Sequence, residues 1–285
     1  MNKRFKSVSY FPGCSLATTA KENNASLKTF LSHFGVQAQE IQDWNCCGSS
    51  STHSIDSDLA LSLGARNLFL APCEKSVLIA CPGCYLRLNA AKIELKRSEA
   101  KRKRYEDFFG KPYPEDIHLM HFFELLVQMD STGAFANLEG RLNGLKIAPY
   151  YGCMLARPPS MRKEKSHTGL IEKTMTSLGG APVQWPFFST CCGTFLSVSR
   201  PGIAEKLVNR IMAGALKSGA DCIVTACAMC HLNLELRCRK ENRIPVFHFS
   251  ELLSLSLEDN RSEDWFKRHL IDPRPLLRKK ALAGQ

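Results

Sequence analysis

The sequence predicts an α/β protein made of two similar α/β halves, each with a small, largely parallel sheet, related by internal duplication. Two observations lead to this prediction. One cysteine pattern occurs twice along the 285 residues, and in both copies short apolar segments run directly into the cysteines. Longer stretches with helical periodicity follow those segments. Such alternation is typical of α/β folds with parallel strands.

Each copy of the pattern consists of a lone cysteine, an adjacent Cys-Cys-Gly and a Cys-x-x-Cys. The spacing is repeated as well, because 31 and 37 residues precede the two Cys-Cys-Gly motifs, and 33 and 34 residues follow before each Cys-x-x-Cys. A repeat of this kind indicates a duplicated unit. The first copy comprises Cys14, Cys46, Cys47, Cys81 and Cys84, and the second comprises Cys153, Cys191, Cys192, Cys227 and Cys230.

The predicted elements follow from these segments. Strands are predicted within residues 7–14, 76–84, 146–153 and 221–230, and helices over residues 19–34, 57–71, 85–105, 202–218 and 231–241. A shared His-Phe-x-Glu-Leu-Leu in residues 118–126 and 246–253 indicates a strand that turns into a helix in each half. Because ligands bind beyond the carboxyl ends of parallel strands, we expect the cysteines of each half to meet there.

The boundary between the halves is predicted near residue 140. Residues 130–144 are rich in Gly, Asn and Ser, a composition typical of a connection. The expected domains are therefore residues 1–140 and residues 141–285, the second of which includes a C-terminal tail.

Composition excludes several classes of protein. The chain is 44% apolar and 23% charged, and it has neither an apolar run of the ~18 residues that a membrane span needs nor the apolar stretch of a secretory signal. We therefore expect a cytoplasmic protein without a membrane span. In a reducing compartment, so many cysteines are more plausible as metal or redox groups than as disulfides.

The net charge of +11 is concentrated in residues 92–104 and in the tail around Leu276 and Leu277. Neither cluster has the interleaved aromatic residues that stack on bases, so we expect no nucleic-acid partner. The cluster at residues 92–104 is interpreted as a solvated helix face, and attraction of anionic substrates or acidic partners is the alternative. The tail could dock on a partner.

The number of cysteines limits the kind of metal. Thiolates select zinc, copper(I) or iron–sulfur clusters. A structural zinc ion or an ordinary cubane cluster takes four ligands, which leaves one of the five cysteines of each half unused. Five ligands with an adjacent pair fit a larger or non-cubane cluster, and Gly48 and Gly193 would permit the turn that brings the pair together. A non-enzymatic zinc module that uses four cysteines per half remains the alternative.

The chain resembles the two-CCG-domain proteins whose type member is the B subunit of heterodisulfide reductase. The resemblance is carried by YFPGCSLATTAKE, DWNCCGSSSTHS and CPGC in the first half and by YYGCMLARP, TCCGTFLS and CAMC in the second. It implies that the five cysteines of each copy hold one non-cubane [4Fe–4S] cluster, with the two clusters facing each other across a disulfide substrate.

The resemblance also implies a function. The chain would be the catalytic subunit of a heterodisulfide reductase-like complex, an oxidoreductase that cleaves or forms a disulfide with one electron from each cluster. No phosphate-binding glycine motif is present, so electrons would arrive from outside. The implied partners are a ferredoxin-like iron–sulfur C subunit and a flavin-containing A subunit, and the substrate would be an anionic disulfide or thiol. The alternative is an electron-relay subunit of a different oxidoreductase complex, without disulfide chemistry.

Further residues are considered for supporting roles. His53, His121 and His248 could supply protons, although a structural role is the more common one for each. Arg157 could hold an anionic group of the substrate or form an ordinary ion pair. The three unmatched cysteines, Cys73, Cys222 and Cys238, are expected to pack in the interior, with Cys238 on a helix, and a role as a resolving cysteine or an extra ligand is the alternative.

Overall fold

The structure is a computed structural model with two compact units. It describes residues 7–49, 51–72, 76–138, 140–156, 167–257 and 262–282. The first unit contains Met1–Thr19 and Gly35–Leu125, and the second contains Ala20–Phe34 and Leu126–Gln285. Among the described residues, no helix is both long enough and apolar enough to cross a membrane.

Each unit contains a sheet of four strands within the described residues, and all neighbouring strands are parallel. The strands are β1 (Ser7–Phe11), β2 (Gln37–Glu40), β3 (Val77–Ile79) and β4 (Leu119–His121) in the first unit, and β5 (Lys146–Tyr150), β6 (Ala181–Pro182), β7 (Cys222–Thr225) and β8 (Val246–His248) in the second. Their orders are β2-β1-β3-β4 and β6-β5-β7-β8. The identical order confirms the predicted pair of duplicated α/β halves.

Fourteen helices are assigned in the described part of the chain. They are α1 (Gly13–Ala17), α2 (Lys21–His33), α3 (Thr52–Ile55), α4 (Ser57–Leu70), α5 (Pro82–Arg97), α6 (Glu99–Phe109), α7 (Phe122–Ser131), α8 (Gly152–Ala156), α9 (Leu170–Ser177), α10 (Pro201–Lys217), α11 (Ala228–Arg237), α12 (Phe249–Leu255), α13 (Ser262–Phe266) and α14 (Arg274–Lys279). Short 3₁₀ turns occur at Ala136–Leu138, Thr194–Leu196 and Lys240–Asn242.

Two helix predictions were wrong in their extent. The predicted helix over residues 85–105 is two helices, because the backbone of Ser98 is extended (φ −116°, ψ 102°) and its hydroxyl accepts a hydrogen bond from the N–H of Lys101 at 3.4 Å. Serine favours this capping position over a helix interior. The predicted helix over 231–241 ends at Arg237, so Cys238 lies beyond it on extended backbone.

Helix α2 belongs to the second unit although its sequence precedes β2 of the first. The hydroxyl of Ser26 lies 2.7 Å from that of Ser250 on α12, and the hydroxyl of Ser254 donates to the carbonyl of Ser26 at 2.6 Å. All three side chains are buried. Because these contacts assign α2 by packing and not by sequence position, the division at residue 140 stays a prediction about the sequence repeat.

The C-terminal tail packs within the second unit. Leu277 is buried, and the ammonium of Lys280 lies 2.7 Å from the carboxylate of Asp221 and donates to the carbonyl of Gly144 at 2.8 Å. The sequence suggests the tail as a docking segment because of Leu276 and Leu277. Leu277 is therefore covered by its own unit, whereas Leu276 is half-buried, so only Leu276 offers an apolar contact for docking.

Candidate metal centres

The five cysteines of the first copy lie in loops and helix starts that follow the carboxyl ends of β1, β2 and β3. Cys14 is on α1 directly after β1, Cys46 and Cys47 follow β2, and Cys81 and Cys84 lie where α5 begins after β3. The sulfur of Cys46 is 3.6 Å from that of Cys14, and the sulfur of Cys47 is 3.2 Å from that of Cys84. We call this group the first site.

Backbone turns and one buried amide shape the first site. Gly48 has a φ of +72°, and its N–H points to the sulfur of Cys46 at 3.5 Å. On α4, the side chain of Asn67 accepts from the N–H of Asn45 and donates to its carbonyl, both at 2.9 Å. The amide therefore holds the backbone directly before the adjacent cysteines. Sequence analysis did not identify Asn67, because an asparagine in a helix has no local signal for such a contact.

The five cysteines of the second copy are arranged in the same way. Cys153 follows β5 on α8, the adjacent pair follows β6, and Cys227 and Cys230 lie at the start of α11 after β7. The sulfur of Cys192 lies 3.2 Å from that of Cys230. We call this group the second site.

The turn of the second site has its own backbone supports. The N–H of Gly193, whose φ is +78°, points to the sulfur of Cys191 at 3.3 Å. The side chain of Asn233 on α11 donates to the carbonyl of Cys192 at 2.8 Å. Asn233 was also missed by sequence analysis, for the same reason as Asn67. A helical amide thus anchors the Cys-Cys-Gly turn in both units, although from different helices.

The electrostatics of the sites reflect crowded sulfur atoms. Hydrogen bonding with Cys46, together with burial, raises the pKa of the Cys14 thiol, and contact with Cys47 and Cys81 raises that of Cys84. Side-chain hydrogen bonds with Cys14 and Cys47 lower the pKa of Cys46. In the second site, a hydrogen bond from Cys230 lowers the pKa of Cys192 to about 7.

This donor set fits a bound metal cluster. All ten cysteines are free thiols, so no disulfide competes for them. Sulfur–sulfur separations are 3.2 and 3.6 Å for two pairs of the first site and 3.2 Å for Cys192 and Cys230 of the second. A bound cation would favour the thiolate form over the crowded thiols. Cys14 and Cys46 are exposed, whereas Cys47, Cys81 and Cys84 are buried. The first site is therefore open to solvent on one side.

The remaining candidates have less direct links to the sites. His53 is exposed on α3 and lines a shallow pocket with Arg87, and slight burial and the charge of Arg87 lower its pKa. His121 is buried, and its Nδ1 accepts from the N–H of Phe123 at 3.2 Å. His248 is buried with its Nδ1 2.7 Å from the hydroxyl of Ser250.

The unmatched cysteines that the structure describes are packing residues. Cys222 and Cys238 are buried, and burial raises the pKa of both thiols, that of Cys238 to about 11. Cys73 and Arg157 lie outside the described residues, so the role considered for Arg157 stays a prediction.

Comparison with known proteins identifies the family. The family model described as "CCG: Cysteine-rich domain" matches residues 8–89 and 147–235. The chain therefore belongs to the CCG cysteine-rich domain family and carries the domain twice. This confirms the predicted relationship, since its relatives include the B subunit of the ferredoxin/F420H2-dependent CoB–CoM heterodisulfide reductase of Methanosarcina acetivorans, 27% identical over 266 residues that cover 88% of this chain and 89% of that protein.

A second relative has a different role. The 8-methylmenaquinol:fumarate reductase membrane anchor subunit of Wolinella succinogenes is 30% identical over 280 residues, which cover 94% of this chain and 98% of that protein. Among solved structures, a hypothetical protein from Helicobacter pylori superposes with a TM-score of 0.72 at 13% identity, over 94% of this chain and 52% of that one. At this identity the likeness shows the fold alone.

Proposed function

We propose that this chain is an iron–sulfur subunit of a multi-subunit oxidoreductase complex, and that the first and second sites each hold one non-cubane [4Fe–4S] cluster. The observation that carries the proposal is the convergence of sulfur atoms after parallel strands in both units, with an adjacent cysteine pair in each. A tetrahedral zinc ion would use four of the five thiolates of a site and would leave one without a function.

For the reaction, we propose cleavage of a disulfide, or its formation in the reverse direction. Cleavage converts R–S–S–R′, two electrons and two protons into two thiols, and bound clusters would supply the electrons one at a time. The exposed edge of the first site, formed by Cys14 and Cys46, gives a substrate sulfur access to it. The likeness to the heterodisulfide reductase protein from Methanosarcina acetivorans supports this reaction.

The second candidate is electron relay without disulfide chemistry. It is favoured by the likeness to the Wolinella succinogenes protein, which covers almost the whole of both chains and belongs to a complex named for menaquinol and fumarate. In that role the exposed edge of the first site would face a redox partner instead of a small substrate. Both candidates need electrons from other subunits, and we propose a ferredoxin-like iron–sulfur subunit and a flavin-containing subunit as the donors.

Anaerobic purification with iron and sulfide analysis tests the cofactor. Two [4Fe–4S] clusters correspond to about eight iron atoms per chain. Cys47→Ser and Cys192→Ser should each lose about half of this iron, since each removes a ligand of a different site. Cys222→Ala is the matched control, because that buried cysteine lies outside both sites. Zinc in place of iron, or full iron content in both serine variants, would refute the assignment.

Electron paramagnetic resonance separates the two reactions. The oxidised protein is titrated with candidate thiols and disulfides while the cluster content is monitored. Disulfide chemistry requires a paramagnetic signal that appears only with a thiol and is lost in Cys47→Ser or Cys192→Ser. Clusters that are reduced by a low-potential donor but give no thiol-dependent signal would support relay instead.

A further inference from the structure

Four titratable side chains meet in the interior of the second unit, and the proposed function does not use them. His231 and Glu235 lie one turn apart on α11, Glu251 is on α12, and His269 follows α13. His231, Glu235 and Glu251 are each at most 4% exposed, and the side chain of His269 is fully buried. One donor atom from each of His231, Glu251 and His269 lies within 4.8 Å of the others.

Each of these three side chains is oriented by an outer partner. Nδ1 of His231 lies 3.3 Å from the side-chain oxygen of Asn23 on α2, and the N–H of His248 donates to Oε2 of Glu251 at 2.8 Å. Nδ1 of His269 lies 3.2 Å from Oε1 of Glu235. A carboxylate or carbonyl behind a ligating histidine fixes its tautomer and increases its basicity.

The inner atoms are arranged as ligands. With both Nδ1 atoms protonated, the two Nε2 atoms carry lone pairs. Nε2 of His269 lies 2.9 Å from Oε1 of Glu251, a contact that holds a proton when no ion is bound and that an ion would replace with two bonds to itself. Nε2 of His231 is fully buried and has no hydrogen-bond partner among the described residues, its nearest opposite charge being Oε1 of Glu235 at 3.6 Å. Burying a nitrogen without a hydrogen-bond partner is unfavourable, and a bound cation would offset that cost.

A divalent cation would also balance the charge of this cluster. Two buried carboxylates, Glu235 and Glu251, face two imidazoles. A divalent ion with two neutral imidazoles makes this interior cluster neutral, whereas isolated buried carboxylates are very costly.

The corresponding positions of the first unit carry different side chains and interact in a simpler way. Tyr85 occupies the position of His231, directly after the last cysteine, and Asn89 occupies that of Glu235. There the hydroxyl of Tyr85 donates to Oε1 of Glu124, the counterpart of Glu251, at 2.9 Å. One hydroxyl serves that single carboxylate, so no ion is required. At the positions of Tyr85 and Asn89, the second unit has the imidazole of His231 and the carboxylate of Glu235.

We propose that the second unit binds one Zn²⁺ ion through Nε2 of His231, Nε2 of His269 and Oε1 of Glu251. Two histidines and one glutamate are a ligand set that zinc uses, and the fourth position is left for water. The ion would join α11, α12 and the turn after α13, and Asn23 would connect α2 to it. The site is separate from the cysteines and does not depend on the proposed function.

Zinc analysis and X-ray absorption on the full-length protein, purified anaerobically and supplied with one equivalent of Zn²⁺, test this site. We expect about one zinc per chain with only nitrogen and oxygen neighbours at about 2.0–2.1 Å. Zinc held by cysteine would instead show sulfur at about 2.3 Å. No bound zinc, or zinc with sulfur neighbours alone, would overturn the proposal. Iron and sulfide content, measured on the same sample, reports separately on the clusters.

Variants locate the ion. His269→Gln should reduce the nitrogen- and oxygen-bound zinc from about one per chain to nearly zero while the iron content is unchanged. His33→Gln, at an exposed histidine of α2, is the control and should retain it. Equal zinc content in both variants would contradict the assignment. Should His269→Gln fail to fold, the absorption spectrum of the unmodified protein still decides the question.

Discussion

Adding a single methyl group at Gly13 should disable the first site. Gly13 precedes the lone cysteine, has a φ of +72°, and a Cβ built on it would lie 2.6 Å from the sulfur of Cys84. At the duplicated position, a Cβ on Gly152 would lie 3.4 Å from the sulfur of Cys230, an ordinary contact. Gly35 has a φ of +66° with nothing within 4 Å of its Cβ. These glycines form a graded series of Gly→Ala variants.

The expected losses of unfolding free energy distinguish backbone strain, which all three variants share, from displacement of the Cys84 sulfur, which only Gly13→Ala causes. All three variants place alanine in the left-handed region, which costs about 1–2 kcal/mol. To restore an ordinary contact of 3.4 Å, the sulfur of Cys84 must move by 3.4 − 2.6 = 0.8 Å in Gly13→Ala. Overpacking of this kind adds about 1–3 kcal/mol, and a metal site tolerates only about 0.2 Å. We therefore expect Gly13→Ala to lower the free energy of unfolding by about 2–5 kcal/mol. The variant should also lose the cluster of the first site.

Iron content, cluster absorbance and chemical denaturation are measured on the three anaerobically purified variants. Gly35→Ala and Gly152→Ala should lose about 1–2 kcal/mol of unfolding free energy but retain full iron content. Gly13→Ala should retain about half of it. If Gly13→Ala keeps as much iron as Gly35→Ala, the contact between Gly13 and the Cys84 sulfur does not constrain the ligand, and the reasoning is refuted.

Two further predictions concern supports of the sites and of the tail. Asn67→Ala removes both hydrogen bonds to the backbone of Asn45, so we expect a loss of about 1–3 kcal/mol in urea denaturation and faster loss of iron from the first site on chelation. Asp221→Asn removes the carboxylate that Lys280 contacts and should cost about 1 kcal/mol at pH 7. Burial raises the pKa of Asp221, but hydrogen bonds from Lys280 and the Lys146 N–H lower it overall. This contribution is thus present above about pH 4 and disappears as the pH falls through the lowered pKa. A variant whose deficit is the same at pH 7 and pH 2.5 would contradict this explanation.

Much of the fold could be predicted because local sequence and topology agree. Apolar segments such as residues 146–150 and 222–225 end within three residues of a cysteine, and both are buried strands in the structure. Parallel strands place their carboxyl ends at one edge, which explains why cysteines distant in sequence lie together. The His-Phe-x-Glu motif was also informative, since β4 passes directly into α7 and β8 into α12.

The features that could not be predicted depend on tertiary contacts. Periodicity continues through Ser98, and only the extended backbone at that residue divides the predicted helix into α5 and α6. Helix α2 has an ordinary amphipathic sequence, and the hydroxyl contacts of Ser26 that join it to the second unit involve residues more than 200 positions away. No local pattern encodes a partner at that distance.

Duplication explains why the interior of the two units could diverge while their cysteines did not. Cysteine spacing is fixed by the ends of β1, β2 and β3 and of their counterparts, so a change there would remove a ligand. The residue after the last cysteine of each unit is less constrained, because it needs only to interact with the glutamate of the His-Phe-x-Glu motif. Tyr85 does so with one hydroxyl in the first unit. In the second unit His231 leaves a buried nitrogen without a hydrogen-bond partner among the described residues and Glu235 adds a charge, and the proposed cation would compensate for both.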